Sequence, residues 1–190
     1  LARCAANKDE TMNIFYLDHD VSNCAMMHND KHCVKMILEY AQLLSTAHRY
    51  LDGTQSVGLS KTGRKQTRYV LPDGRESVLY SATHINHPSA VWVRQSDANY
   101  AWLYRLFGAL MDEYTHRYGK IHSCERLSQA LSYRPKNIPV GPFTEPTPAM
   151  PDEVKIPGDS IASYRNYYIN NKNHLANWKK RNIPSWFCAI

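Results

Sequence analysis

HNDKHCVKMILEYAQLLSTAHR, running from His28 to Arg49, is the stretch on which the fold turns. At about 100° per residue, Cys33, Met36, Ile37, Tyr40, Leu43, Leu44 and Ala47 gather on one side, with Leu51 beyond them. Lys31, Lys35, Glu39, Gln42, Thr46 and Arg49 fall within about 80° of one another on the other side, and His28 and His32 extend that stripe. The pattern predicts an amphipathic helix from about Val21, broken near Asn29, to about Leu51, where Leu-Asp-Gly stops it. A stripe with so many cations is either an ordinary wet face or the lining of a site for something negatively charged.

Upstream, MNIFYLD (Met12 to Asp18) alternates well enough for a short strand, with Asp18 and Asp20 as turn or cap residues. Downstream, TRYVLPDGRESVLY suggests a β-hairpin in which Pro72-Asp73-Gly74 supplies the turn. The preceding KTGRKQTR carries Lys61, Arg64, Lys65 and Arg68, as a solvated loop or as an arm that tracks phosphates. Pro88 falls at a first helical position after His87. Ser96 caps a second long helix whose apolar repeat (Tyr100, Leu103, Tyr104, Phe107, Leu110, Met111, Tyr114) ends at Gly119. Its polar face offers Asp112, Glu113, His116 and Arg117, with Lys120 just past the end. A short helix is expected over about Cys124 to Tyr133. Seven of the ten prolines lie between Pro135 and Pro157, which rules out helix or central strand there. That segment reads as an extended strap anchored by Phe143 and Met150. A last helix is expected from an Asp159 cap to about Arg181. The fold class is therefore mainly α: one compact helical domain with a short N-terminal strand, a β-hairpin and a proline-rich strap.

At 190 residues the chain suits one domain with a real core. Residues 1–11 read as an N-terminal extension outside it, with Met12 a candidate initiator, and residues 12–190 as the domain. No apolar run approaches the roughly 18 residues of a membrane span, and the opening residues lack the apolar region of a signal peptide. The five cysteines are scattered and form no CxxC pair. That argues against a zinc ribbon or disulfide framework and for a reducing cytoplasm. A net charge of +6 points to a polyanionic partner, DNA or a nucleotide, and without an apolar span no membrane partner is expected.

Three constellations could carry chemistry. Lys31 and Lys35, four apart, raise the cost of charging one another, and a lysine desolvated beside a cation can act as a Schiff-base nucleophile. Glu39, one turn beyond Lys35, is the corresponding acid/base or a neutralising partner in a plain solvated pair. His28 and His32 have the i,i+4 spacing that can present two ring nitrogens to one metal, with His84, His87, His116 or His122 as a third ligand. Lys31 between them is a poor neighbour for a divalent cation. Around Pro88, His87 and Arg94 either hold a phosphate at a helix N-terminus or cap the helix and pair with Glu113, with Trp92 in the core. No GxGxxG, P-loop, GxSxG or Cys–His arrangement is present.

FYLDHDVSNCAMMHNDKHCVKMILEYAQLL, NHPSAVWVRQSDANYAWLYRLFGALMDEYTHRYGK and the closing YRNYYI…K…WKKRNIPSWF resemble small proteins of tailed phages, especially marine ones. The order of a short strand, a basic helix, an Asn-His-Pro turn and a helix ending RYGK is similar, more distantly, to pyrimidine-dimer DNA glycosylases of endonuclease V type. That resemblance implies a mainly helical, cofactor-free and metal-free enzyme of the host cytoplasm that excises a damaged base by imine chemistry. The family's nucleophile is an N-terminal amine, assisted by a glutamate on the first long helix and by arginines that hold phosphates. Here Asn13 after Met12 disfavours methionine removal. The position matching the glutamate lies close to His32, and the nearest glutamate is Glu39, about two turns later. The expectation is a DNA glycosylase/AP lyase with Lys31 or Lys35 as amine, Glu39 and His32 as acid/base groups, and Arg49, His87, Arg94, His116, Arg117 and Lys120 at phosphates. A metal-dependent nucleotide hydrolase using His28 and His32, or a non-catalytic phage module binding nucleic acid or a host protein, are the alternatives.

Overall fold

In the computed structural model, which describes residues 12–59 and 62–187, two helices stand where the first amphipathic pattern predicted one broken run. Helix α1 (Val21–Met27) is capped by the Asp20 side chain, which accepts the Asn23 amide. Helix α2 (Asp30–Asp52) opens on Asn29, whose side chain accepts the His32 amide. Such caps satisfy amides that the first helical turn leaves without partners. The apolar stripe of α2 is the centre of the core: Cys33, Met36, Ile37, Tyr40, Leu43 and Leu44 are all buried.

After α2, strands β1 (Thr54–Leu59) and β2 (Lys65–Val70) pair antiparallel, Thr54 opposite Val70 and Leu59 opposite Lys65. The hairpin thus begins directly after Gly53, earlier than the sequence pattern suggested. Pro72-Asp73-Gly74 is not its turn but the lead into a one-turn helix α3 (Arg75–Val78). Lys61, part of the expected basic arm, lies outside the described residues. At Gly53 a β-carbon would come 2.4 Å from the Arg49 carbonyl oxygen and 3.2 Å from the Tyr69 backbone. Gly53→Ala is expected to lower stability by about 1–3 kcal/mol through that crowding, measured as a shift in the urea midpoint.

Helix α4 (Pro88–Val93) starts on His87, whose Nδ1 accepts the Ser89 amide. Helix α5 (Asp97–Tyr118) starts on Ser96 and ends at Gly119, which takes φ 65°, a conformation that favours glycine. A helical turn over Ser123–Leu127 leads into α6 (Ser128–Ser132). Residues 133–159 then form the strap, whose one short helical turn spans Asp152–Val154. It is held by polar contacts: the indole of Trp92 donates to the Thr144 carbonyl, Ser96 to the Pro142 carbonyl and the Asn13 amide to the Ala149 carbonyl. Phe143 packs against Tyr16, Trp92 and Trp102.

Two expectations change. Residues 12–18 have no regular secondary structure and join no sheet among the described residues; Met12 to Leu17 are all buried, so both sides of the segment are covered. Helix α7 (Ser160–Asn171) also stops about ten residues early. Asparagine-rich sequence at its end favours local side-chain bonds over helix, and Asn170 donates to Asn166. The remaining chain folds back on the α1–α2 junction, where Trp178 and Trp186 donate to Met27 and the Asp30 amide donates to the Asn177 carbonyl. The architecture is a single mainly helical domain, with seven α-helices and one two-stranded sheet among the described residues. No helix among them is long and apolar enough to cross a membrane.

Candidate functional site

The polar stripe of α2 is not one solvated face. Residues 12–17 and α7 lie over its N-terminal half and bury much of it. Lys31 is exposed and Lys35 half-buried, but Glu39, His32 and Arg49 are buried and His28 is fully so. Glu39 Oε1 lies 3.2 Å from Lys35 Nζ, with the Glu39 side chain only 10 % exposed. Its other oxygen accepts the Asn13 backbone amide at 3.4 Å. A solvated Lys–Glu helix pair would leave both ends in water; here the carboxylate is enclosed by the buried N-terminal segment.

Beside this pair stands an aromatic wall. Phe15 stacks on the His32 ring, centroids 4.2 Å apart and planes 21° from parallel, and meets Tyr164, Tyr167 and Tyr168 of α7. The Tyr164 hydroxyl donates to Asn13 Oδ1, which fixes the residue whose amide reaches Glu39. The Tyr168 hydroxyl lies within hydrogen-bond distance of His32 Nδ1, at 2.7 Å. Burial holds the His32 pKa well below the usual histidine value, and His28, Lys172, Lys35 and Lys31 push in the same direction.

The expected metal pair has no free ligand at His28. Its Nδ1 donates to the Cys24 carbonyl at 2.7 Å, and its Nε2 accepts from the Tyr40 hydroxyl at 2.8 Å. Both ring nitrogens are occupied, and burial lowers the pKa to about 4. Among the described residues, no three His, Cys, Asp or Glu side chains gather as a metal-ligand group.

The expected phosphate holders separate. Arg49 makes five bonds, to the carbonyls of Tyr69, Glu76, Leu79 and Tyr80 and to the Glu76 carboxylate. A guanidinium has five N–H donors, so Arg49 is a clamp that fixes the hairpin base and α3 to α2, and no phosphate can take its place there. Arg117 is likewise buried, donating to Glu113, Asp30 and the carbonyls of His28 and Met26. His87 serves as the α4 cap. Arg94 lies 4.1 Å over the Tyr50 ring and donates to the Ala90 carbonyl, rather than pairing with Glu113. His116 and Lys120 are exposed at the far end of α5, away from Arg94.

The structure thus unites Lys35, Glu39 and His32 and leaves Arg49, Arg94 and Arg117 in other roles. Sequence reasoning missed Asn13, Phe15, Tyr164 and Tyr168. One signal was available: IFYL at 14–17 is an unbroken apolar run, which marks a segment covered on both sides. The fold and site define a mainly helical protein with a lysine–carboxylate pair set against an aromatic wall. Set against family models, curated proteins and solved structures, the chain finds no match in any of the three.

Proposed function

We propose that the protein acts on DNA by imine chemistry, as a base-excision glycosylase/AP lyase, with Lys35 as the amine and Glu39 as its acid/base partner. The observation that carries this reading is the enclosed Glu39 carboxylate 3.2 Å from Lys35 Nζ. A carboxylate in that position can take a proton from the lysine and return it to the substrate. Lys35 Nζ bonds to C1′ of the sugar as the bond to the base breaks, and the electron pair leaves with the base. Glu39, having passed the first proton of the Lys35 ammonium to the departing base, accepts the second proton lost by nitrogen. It then protonates O4′ as the ring opens, leaving a protonated imine. At a site already lacking its base, the amine adds to the open-chain aldehyde and water leaves.

Charge supports a nucleic-acid substrate. Between Gly53 and Pro72 the chain has Lys61, Arg64, Lys65 and Arg68 and no acidic residue, and the described hairpin residues are mostly exposed. Such a ribbon attracts phosphate and makes binding fall steeply with salt. The hairpin also favours a second reading, a non-catalytic nucleic-acid-binding module, which predicts the same salt dependence with no turnover.

Borohydride trapping on duplex containing an abasic site tests the proposal. Wild type is expected to form a covalent adduct. Lys35→Ala abolishes it, and Glu39→Gln slows it by about 10²–10⁴-fold, while exposed Lys31→Ala leaves it intact. No adduct with wild type, or an undiminished adduct with Lys35→Ala, rejects the chemistry. Binding that remains salt-sensitive without an adduct selects the second reading.

A further inference from the structure

Two adjoining cavities lie at the other end of α2. The first, about 660 Å³, is lined by Val78, Ala130 and Tyr133 together with Arg75, Arg126 and Lys136. The second, about 400 Å³, is lined by Asp97, Tyr100, Tyr104, Tyr133 and Arg134. Tyr133 lines both and is 71 % exposed. Its ring therefore stands uncovered beside both openings, where a planar ligand could reach it.

The charges around it are not all neutralised within the protein. Arg75 is held by Asp73 and Asp52, and Arg134 by Asp97. Among the described residues neither Arg126 nor Lys136 pairs with a carboxylate; Arg126 donates to the Val78 carbonyl and lies over the Tyr80 ring. The Lys136 backbone is pinned by its amide to Asp52 at the end of α2, so its position relative to Tyr133 is fixed by the fold. Apolar walls, an exposed ring and two available cations are the elements that recognise a base and its phosphate. Two cavities sharing one aromatic side chain suit successive bases on a strand better than one free nucleotide.

We propose that the paired cavities around Tyr133 bind single-stranded nucleic acid, one base stacking on Tyr133 and the flanking phosphates meeting Lys136 and Arg126. Asp52 lies thirteen residues beyond Glu39 on α2, about 20 Å at 1.5 Å per residue, so this is a second site. It deepens the reading of a nucleic-acid partner but does not depend on Lys35 chemistry.

Fluorescence anisotropy with a labelled ten-nucleotide oligothymidylate, its duplex and competing thymidine monophosphate tests it. Wild type is expected to prefer the single strand. Tyr133→Ala weakens binding about tenfold, as loss of one stacked base does, whereas Tyr133→Phe binds as wild type. Lys136→Ala lowers the slope of log K against log salt by about 0.7, the share of one single-strand phosphate. Equal competition by the mononucleotide, or Tyr133→Ala binding as tightly as wild type, overturns the proposal. The exposed positions of Tyr133 and Lys136 keep these variants folded. Failed trapping by wild type with intact Tyr133-dependent binding removes only the imine chemistry. The reverse pattern removes only this site.

Discussion

Arg117→Met is expected to lower the unfolding free energy by about 3–5 kcal/mol, the usual cost of breaking a buried ion pair from one side. The Arg117 side chain is 0 % exposed and lies against Glu113 and Asp30. It also donates to the His28 and Met26 carbonyls, which the α1–α2 break leaves without helical partners. Methionine fills much of the volume but supplies none of these donors. Two carbonyls and part of the Glu113 carboxylate then stay buried without compensation, although Arg181 still reaches Glu113. Urea denaturation measures the loss. Arg105→Met, at an exposed position of the same helix, should stay within about 0.5 kcal/mol of wild type. Combining Arg117→Met with Glu113→Gln should cost less than the sum of the two, because the second change relieves the charge stranded by the first. A loss under about 1 kcal/mol for Arg117→Met would mean the pair is not the junction's anchor.

The same residue shows what a sequence makes legible. Arg117 sits four residues after Glu113, and on a helical wheel that pair looks like a wet surface bridge. The distinction lies in what arrives from elsewhere: the α1–α2 break and the returning C-terminal segment cover both side chains. Local signals worked because their causes are local. Asn29, Ser96 and Asp159 each cap the helix they were expected to open or flank, and Gly119 closes α5. The strap followed from proline alone, since a missing N–H and a fixed φ exclude regular structure wherever the chain lies.

Failures gathered where burial depends on distant partners. His28, His32, Glu39 and Arg49 share a stripe with Lys31 and Lys35, and periodicity cannot separate the covered from the uncovered members. The hairpin was misplaced for a different reason. Pro-Asp-Gly is a strong turn signal, but Glu76 captures the Leu71 amide and α3 begins at once, so the turn opens a helix instead. For the site, one half was visible: Lys35 and Glu39 one turn apart. The other half, Phe15 against His32 and Asn13 against Glu39, joins residues 17 and 26 positions apart and needed coordinates.

Acidification from pH 7.5 to pH 5 is expected to remove about 4 kcal/mol of stability through His28 and His48, roughly 2 kcal/mol each. Burial lowers the His28 pKa to about 4. His48 is also lowered to about 4, first by burial and then by the Arg75 guanidinium, whose nitrogen lies 2.9 Å from His48 Nδ1. In the unfolded chain both titrate near the usual value of about 6.5. Between these values the unfolded state binds more protons, so stability rises with pH through the window. It is complete above about pH 6.5 and falls away as pH drops toward 4. His32 contributes with the same sign, since its pKa is also held low. Urea midpoints at pH 7.5, 6 and 5 should therefore decline steadily, and the decline in His48→Gln should be about 2 kcal/mol smaller. A flat profile would require both rings to accept protons inside the fold. The geometry opposes that, because each neutral ring already uses one nitrogen as an acceptor: His28 from the Tyr40 hydroxyl, and His48 from Arg75. A second ring proton on His48 would face the Arg75 donor, and one on His28 would displace the Tyr40 hydroxyl proton from the acceptor it now has. One ring precedes α2 and the other sits near its C-terminal end, so acid loosens the central helix at both ends.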